Sequence, residues 1–363
     1  MTERTETLES RIGEELGGIA SFRAGGGRVL GSLCHAFPMA VGAGLGYRPV
    51  RALHGASSAG EEAGERFMRP DSCPLVKAFA GAAAAGSGLH GMIDVWVAMY
   101  TCDQTRRLFQ ELGRITGTPA LHIQLPSTRT REAEDYFAMQ VERLGGDLAA
   151  LAGHSAYSEP DARDYETERR RATSSLRSIA MAGSLPPTAL QAAFSLLNFA
   201  QPHGLSAFLE SIAPAGAAWS VGPRIAVAGG PMAHGDDAVP GLLEDAGAVM
   251  VPLGCSGLQT SLPAGEPGDC SPEGLAREYF RASRCARCRP NAGVFDYLTD
   301  SIEEAGCSGL ILKTLKFCDL WYTERERIRA RMPVPVLVLD TGFGPGGRER
   351  IATRIEAFLE SLS

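Results

Sequence analysis

Residues 97–107, VAMYTCDQTRR, and residues 310–324, LILKTLKFCDLWYTE, make the same transition twice. In each, an apolar run of strand length gives way at Cys-Asp to a charged, helix-like run. A strand handing over to a helix is one βα unit, and repeated βα units predict parallel sheets with helical crossovers.

The alternation extends outward from both stretches. Strands are predicted at 28–34, 47–53, 93–100 and 119–124, with helices following Pro38, Pro74 and Asp103. Proline in a helix's first turn is preorganised and forfeits no hydrogen bond there. From about 130 to 212 the strand signal stops, and segments such as REAEDYFAMQVERLGGDLAAL carry a 3.6-residue apolar period. Strand signals return at PRIAVAGG (223–230), AGAVMVPLGCSG (246–257), GLILKTLKFCD (309–319) and VPVLVLDTGFG (334–344). Helices are predicted near 273–283, over VFDYLTDSIEEAG and over the closing RERIATRIEAFLESL. A chain of 363 residues exceeds one ordinary core. The expected organisation is an N-terminal helix (1–27), a first α/β lobe (28–129), a helical segment (130–215) and a second α/β lobe (216–363).

Composition narrows the function classes. The chain is 44% hydrophobic and 21% charged with a net charge of −7, and its arginines are scattered among acids, which argues against nucleic acid as a partner. MTERTETLESRIGEELGG lacks an apolar signal core, and no stretch reaches about 18 apolar residues, so a cytoplasmic protein without a membrane span is expected.

Nine cysteines in such a chain do not suggest a disulfide framework. Their placement suggests something else. Cys34, Cys102, Cys255 and Cys318 each fall at or just past the end of a predicted strand, and Cys73 precedes Pro74 at a predicted helix start. In open parallel sheets, ligands bind beyond the carboxyl ends of the strands, and helix N-termini favour thiolates. Thiolate-rich sites select zinc, cuprous copper or iron–sulfur. Structural zinc usually shows close cysteine pairs, and Cys285-x-x-Cys288 is the one such pair. Widely spaced single cysteines from two sheets suit an iron–sulfur cluster in a cleft between lobes. RCARCRPN (284–291) supplies either a further ligand, Cys285, or a surface thiol pair. Cys270 and Cys307 read as structural.

Other motifs carry less. Gly342-Phe-Gly344-Pro-Gly-Gly347 fits G-x-G-x-x-G, but the chain ends sixteen residues later, with no room for the next strand and its ribose-binding acid. Gly42, Gly44 and Gly46 read as a tight turn. Of the histidines, His35 stands beside Cys34; His90, His122 and His234 could sit at loops near the cleft.

GSLCHAFP (31–38), SCPLVKA (72–78), TCDQTRR (101–107), HIQLPS (122–127), GCSGLQT (254–260), FCDLWYTE (317–324) and TRIEAFLE (353–360) occur in the order seen in the 2-hydroxyacyl-CoA dehydratase and benzoyl-CoA reductase family. The chain resembles that family from about residue 28 to 361. The resemblance implies two flavodoxin-like lobes flanking a helical segment. It implies a 4Fe–4S cluster on Cys73, Cys102 and Cys318, and an electron delivered by a separate ATP-hydrolysing iron–sulfur activator. It further implies dehydration of 2-hydroxyacyl-CoA through a ketyl radical, that is, a lyase or related reductase. A second branch holds a double-cubane (8Fe–9S) cluster and reduces small molecules; Cys34, Cys255 and Cys285 are the additional thiolates this chain can offer. A homodimer or a heterodimer with a similar subunit is expected, to shield the cluster. The family often has Pro-Glu-Glu where this chain has Pro38-Met39-Ala40, and only Asp340 remains of a later Glu-x-Asp. These departures leave open an accessory subunit without its own catalysis.

Overall fold

The computed structural model describes residues 2–86, 88–213, 219–343 and 348–362. Helix α1 (Glu3–Ala24) starts on the Thr2 side chain, which accepts the Thr5 amide. A first sheet follows: β1 (Arg28–Ser32), β2 (Tyr47–Arg51), β3 (Val95–Tyr100) and β4 (Ala120–Gln124), all parallel, in the order β2-β1-β3-β4. Its crossovers carry α2 (Ala40–Ala43), α3 (Ser58–Gly64), α4 (Pro74–Ala84) and α5 (Asp103–Thr116). Four helices come next: α6 (Arg131–Leu151), α7 (Glu159–Ala182), α8 (Pro187–Leu197) and α9 (Leu205–Ile212).

The second sheet is built from β5 (Arg224–Gly229), β6 (Val249–Pro252), β7 (Gly309–Leu315) and β8 (Val336–Thr341), again parallel, in the order β6-β5-β7-β8. With it come α10 (Ala238–Asp245), α11 (Pro272–Ala282), α12 (Ala292–Glu304), α13 (Asp319–Tyr322), α14 (Arg325–Arg331) and α15 (Arg348–Glu360). Both sheets therefore share one strand order, the flavodoxin-like order without its last strand. The expected α/β class with two parallel-sheet lobes and a run of helices between them is what the chain adopts.

Side-chain alternation explains why the first sheet is buried on both faces. Val29, Trp96 and Ala98 face one core, which continues through α7–α9 into the second sheet. Leu30, Val95, Val97 and Met99 face another, made with Phe137 and Val141 of α6 and with Leu275 and Phe280 of α11.

The lobes meet at the loops after β2 and β5. The His234 amide donates to Leu53 O at 3.0 Å, and the Gly55 and Ala56 amides donate to His234 O, each at 3.1 Å. Gly235 lies at φ +94°, and a Cβ there would stand 2.7 Å from Ala56 O, so only glycine fits this close approach. The His54 and His234 rings stack at 4.7 Å, and His234 Nε2 pairs with Glu9 of α1 at 3.0 Å.

Strand β7 is buried throughout and includes a lysine. Lys313 Nζ donates to Asp236 Oδ2 at 2.6 Å, with side chains 1% and 6% exposed. Removing one partner of a buried pair strands the other's charge. Lys313→Met is expected to lower unfolding free energy by about 3–5 kcal/mol, read from the urea midpoint. Adding Asp236→Leu is expected to recover most of that loss; a double variant as unstable as the single one would contradict the pairing.

Candidate metal centre

Cys73, Cys102 and Cys318 stand at the N-caps of α4, α5 and α13. Each position follows from local chain chemistry. Pro74 occupies the first turn of α4, and the Cys73 amide donates to Gln104 Oε1 on α5 at 3.4 Å. Cys102 begins two residues beyond β3, and its sulfur accepts the Thr105 amide at 3.4 Å while Thr105 Oγ1 accepts the Cys102 amide at 3.3 Å. That is a capping box with sulfur in place of the usual oxygen. Cys318 follows β7 through Phe317, a non-glycine residue held at φ +61°. Such backbone is costly and persists only where its surroundings enforce it.

The two lobes touch here as well. Gly342, directly after β8, lies so near α4 that a Cβ on it would meet the Pro74 ring at 3.5 Å. Burial pushes the Cys73 thiol up to about 12, and the neighbouring Cys318 adds to the rise, as does Cys102 to a smaller degree. Burial likewise raises the Cys318 thiol to about 11, with Cys102 contributing. The three sulfurs thus lie within electrostatic reach of one another.

Cys34, Cys255 and Cys285 form a second group. Arg51, 6% exposed at the end of β2, donates to Leu33 O at 2.9 Å and to Cys255 O at 2.7 Å, and its Nη2 lies 3.7 Å from the Cys255 sulfur. Burial raises the Cys34 thiol to about 11; Arg51 opposes the rise, and Cys255 and Cys102 add to it. Cys285 is pushed up by burial first, then by Cys288, Cys34 and Cys255. The surface-pair alternative for Cys285 and Cys288 does not hold: Cys288 is buried, its sulfur accepts from Arg129, and Cys285 is half-buried. Among the described residues, no three His, Cys, Asp or Glu side chains stand close enough to hold a single metal ion.

The remaining candidates disperse. His35 Nε2 is buried without a partner beside a cavity of about 50 Å³, and burial, then Arg51 and Arg169, push the ring down to about 3, so it is neutral. His90 lies in the core against Phe79 and Trp96, His122 bonds the Tyr100 hydroxyl on the edge of the first sheet, and His234 belongs to the lobe junction. Cys270 and Cys307 are buried. Gly344 and Gly347 of the glycine motif lie outside the described residues.

Asp103 and Asp319 occupy first helical positions; the thiol before Asp103 caps α5, the Cys318 side chain makes no cap bond, and Asp103 faces solvent beside Arg106. The sequence reading missed the arginines that hold these loops. Besides Arg51, Arg287 donates to Thr101 O at 2.8 Å and Leu125 O at 2.9 Å, tying the 285–288 turn to the Cys102 loop. One signal was available: β2, YRPVR, places two arginines in a fully buried strand. A lysine cannot span two carbonyls as a guanidinium does. Arg51→Lys is therefore expected to cost about 1–3 kcal/mol by leaving an acceptor unsatisfied, read from the urea midpoint at constant slope. An unshifted midpoint would remove Arg51 from this role.

Among the described residues no helix is long and apolar enough to cross a membrane. Among curated proteins none matches the chain. A family model described as 2-hydroxyglutaryl-CoA dehydratase, D-component, matches residues 34–362, from the first strand-end cysteine to the last helix. The strand-end cysteines, the twin parallel sheets and that match agree, and the chain belongs to the 2-hydroxyglutaryl-CoA dehydratase D-component family.

Proposed function

We propose that this dehydratase component is the iron–sulfur subunit of an enzyme acting on 2-hydroxyacyl-CoA thioesters, with Cys73, Cys102 and Cys318 as thiolate ligands of a 4Fe–4S cluster. The supporting observation is that three cysteines from distant segments and both lobes sit at helix N-cap positions, with Cys318 and Cys102 raising the pKa of Cys73 and Cys102 raising that of Cys318. The donor chemistry fits the group. All three offer soft thiolate sulfur, the donor that iron–sulfur clusters take.

When bound, such a cluster supplies a low-potential electron to the thioester carbonyl. The chain's own residues do the holding. Burial keeps Cys73 and Cys318 protonated in the metal-free chain, so iron binding is coupled to proton release. The N-termini of α4 and α5 then favour the thiolates' negative charge. Met39 and Ala40 carry no carboxylates to move a proton at that turn, and burial keeps the neighbouring His35 ring neutral. The electron is proposed to come from an ATP-hydrolysing iron–sulfur activator, and a second similar subunit, identical or not, to complete the shielding.

A second reading is favoured by one observation: Cys255 adds to the raised pKa of Cys34, and Cys34 and Cys255 to that of Cys285, so three further sulfurs lie near one another, the number that a six-thiolate double-cubane site would add. Iron in anaerobically purified protein separates the readings at about four atoms per chain against about eight, whereas a colourless chain points to an accessory subunit. In the same preparation Cys102→Ser is expected to lose most of the iron and Cys307→Ser none. Equal iron in both variants would refute the ligand assignment.

A further inference from the structure

A cavity of about 410 Å³ opens where α6, α11 and α12 converge, on the far wall of the 285–288 turn. We propose that it is a phosphate-binding site for a small phosphorylated ligand. The helices α6 and α12 both begin at its rim, at Thr130 and Asn291, and helix N-termini present free N–H groups and positive potential to anions.

Two side chains point independently to a missing ligand. Asn291, 4% exposed, is the N-cap of α12, yet its side chain makes no cap bond and its Nδ2 has no partner. Ser283, 6% exposed, lines the same cavity with an unpartnered hydroxyl. Two buried donors without a protein partner beside one cavity can be satisfied by an occupant of that cavity.

The charge around them is positive. Arg129 is fixed in place, its guanidinium 4.5 Å over the Phe280 ring with bonds to Phe280 O and Ser283 O. Arg284 is anchored through Nη1 to the carbonyls of Arg281 and Ala282. Arg131 has no ion-pair or hydrogen-bond partner among the described residues. The one acid in the wall, Glu134, is already engaged: Arg281 bonds it at 2.5 and 2.9 Å and, with Arg277, holds its carboxyl below the usual range. In a chain of net charge −7, a cluster of guanidiniums lining one cavity with two idle donors suits the several oxygens and double charge of a phosphate.

Two sources share this chemistry: the nucleotide end of a coenzyme A thioester, and a free phosphate or pyrophosphate compound. Only the first rests on the dehydratase reading. The test is titration calorimetry of the full chain with inorganic pyrophosphate, followed by competition with coenzyme A. Pyrophosphate is expected to bind, more weakly as salt rises. Arg131→Gln is expected to weaken it about tenfold. Asn291→Asp replaces the idle donor with a carboxylate of like charge to the ligand, and is expected to abolish binding. Arg114→Gln, at an exposed position of α5, controls for general charge and is expected to change nothing. Competition by coenzyme A would identify the thioester carrier as the ligand; binding without competition would identify a free phosphate compound. No binding at millimolar pyrophosphate, or equal affinity in wild type, Arg131→Gln and Asn291→Asp, would overturn the site. Because pyrophosphate binding needs no iron, it would survive failure of the cluster assignment.

Discussion

Arginine bonded to backbone carbonyls is the interaction on which the cleft depends. Loops that leave the carboxyl ends of parallel strands carry carbonyl groups with no ladder partner, and burying them unpaired would be costly. Arg51 spans Leu33 O and Cys255 O, Arg287 spans Thr101 O and Leu125 O, and Arg129 spans Phe280 O and Ser283 O. Each guanidinium offers several donors in a fixed plane, so one side chain fixes two chain segments relative to each other. The cysteines are positioned by these bridges as much as by the strands that precede them.

Carboxylates do comparable work farther from the cleft. Glu166 of α7 is fully buried and accepts from Arg169, Arg170 and the Tyr279 hydroxyl, and Arg170 continues to Glu278 of α11 in a two-bond fork. This network joins the helical segment to a helix from the second half of the chain, while α11 also packs its apolar face with α6 and the first sheet. The walls around the thiols are therefore held by polar contacts that resist sliding as well as by apolar packing.

Much of this was legible before any coordinates. Doubly covered parallel strands must be nearly continuous apolar runs, so β1, β3, β5 and β7 fall within their predicted stretches, and Cys34, Cys102, Cys255 and Cys318 lie two or three residues past strand ends. The short helices α3 and α14 escaped because seven residues give too little period to read. Oxygen caps are the common case, so the sulfur cap that Cys102 supplies gave no signal in the sequence. The arginine bridges could not be read, since a donor–acceptor pair separated by up to 204 residues leaves no trace in spacing.

The sulfur cap of Cys102 makes one atom answer for two tasks. Its thiol accepts the amide that starts a fourteen-residue helix, and the proposed cluster would claim the same sulfur. Oxidising that one atom would remove the acceptor that opens the helix, and with it the ligand that the proposal assigns there.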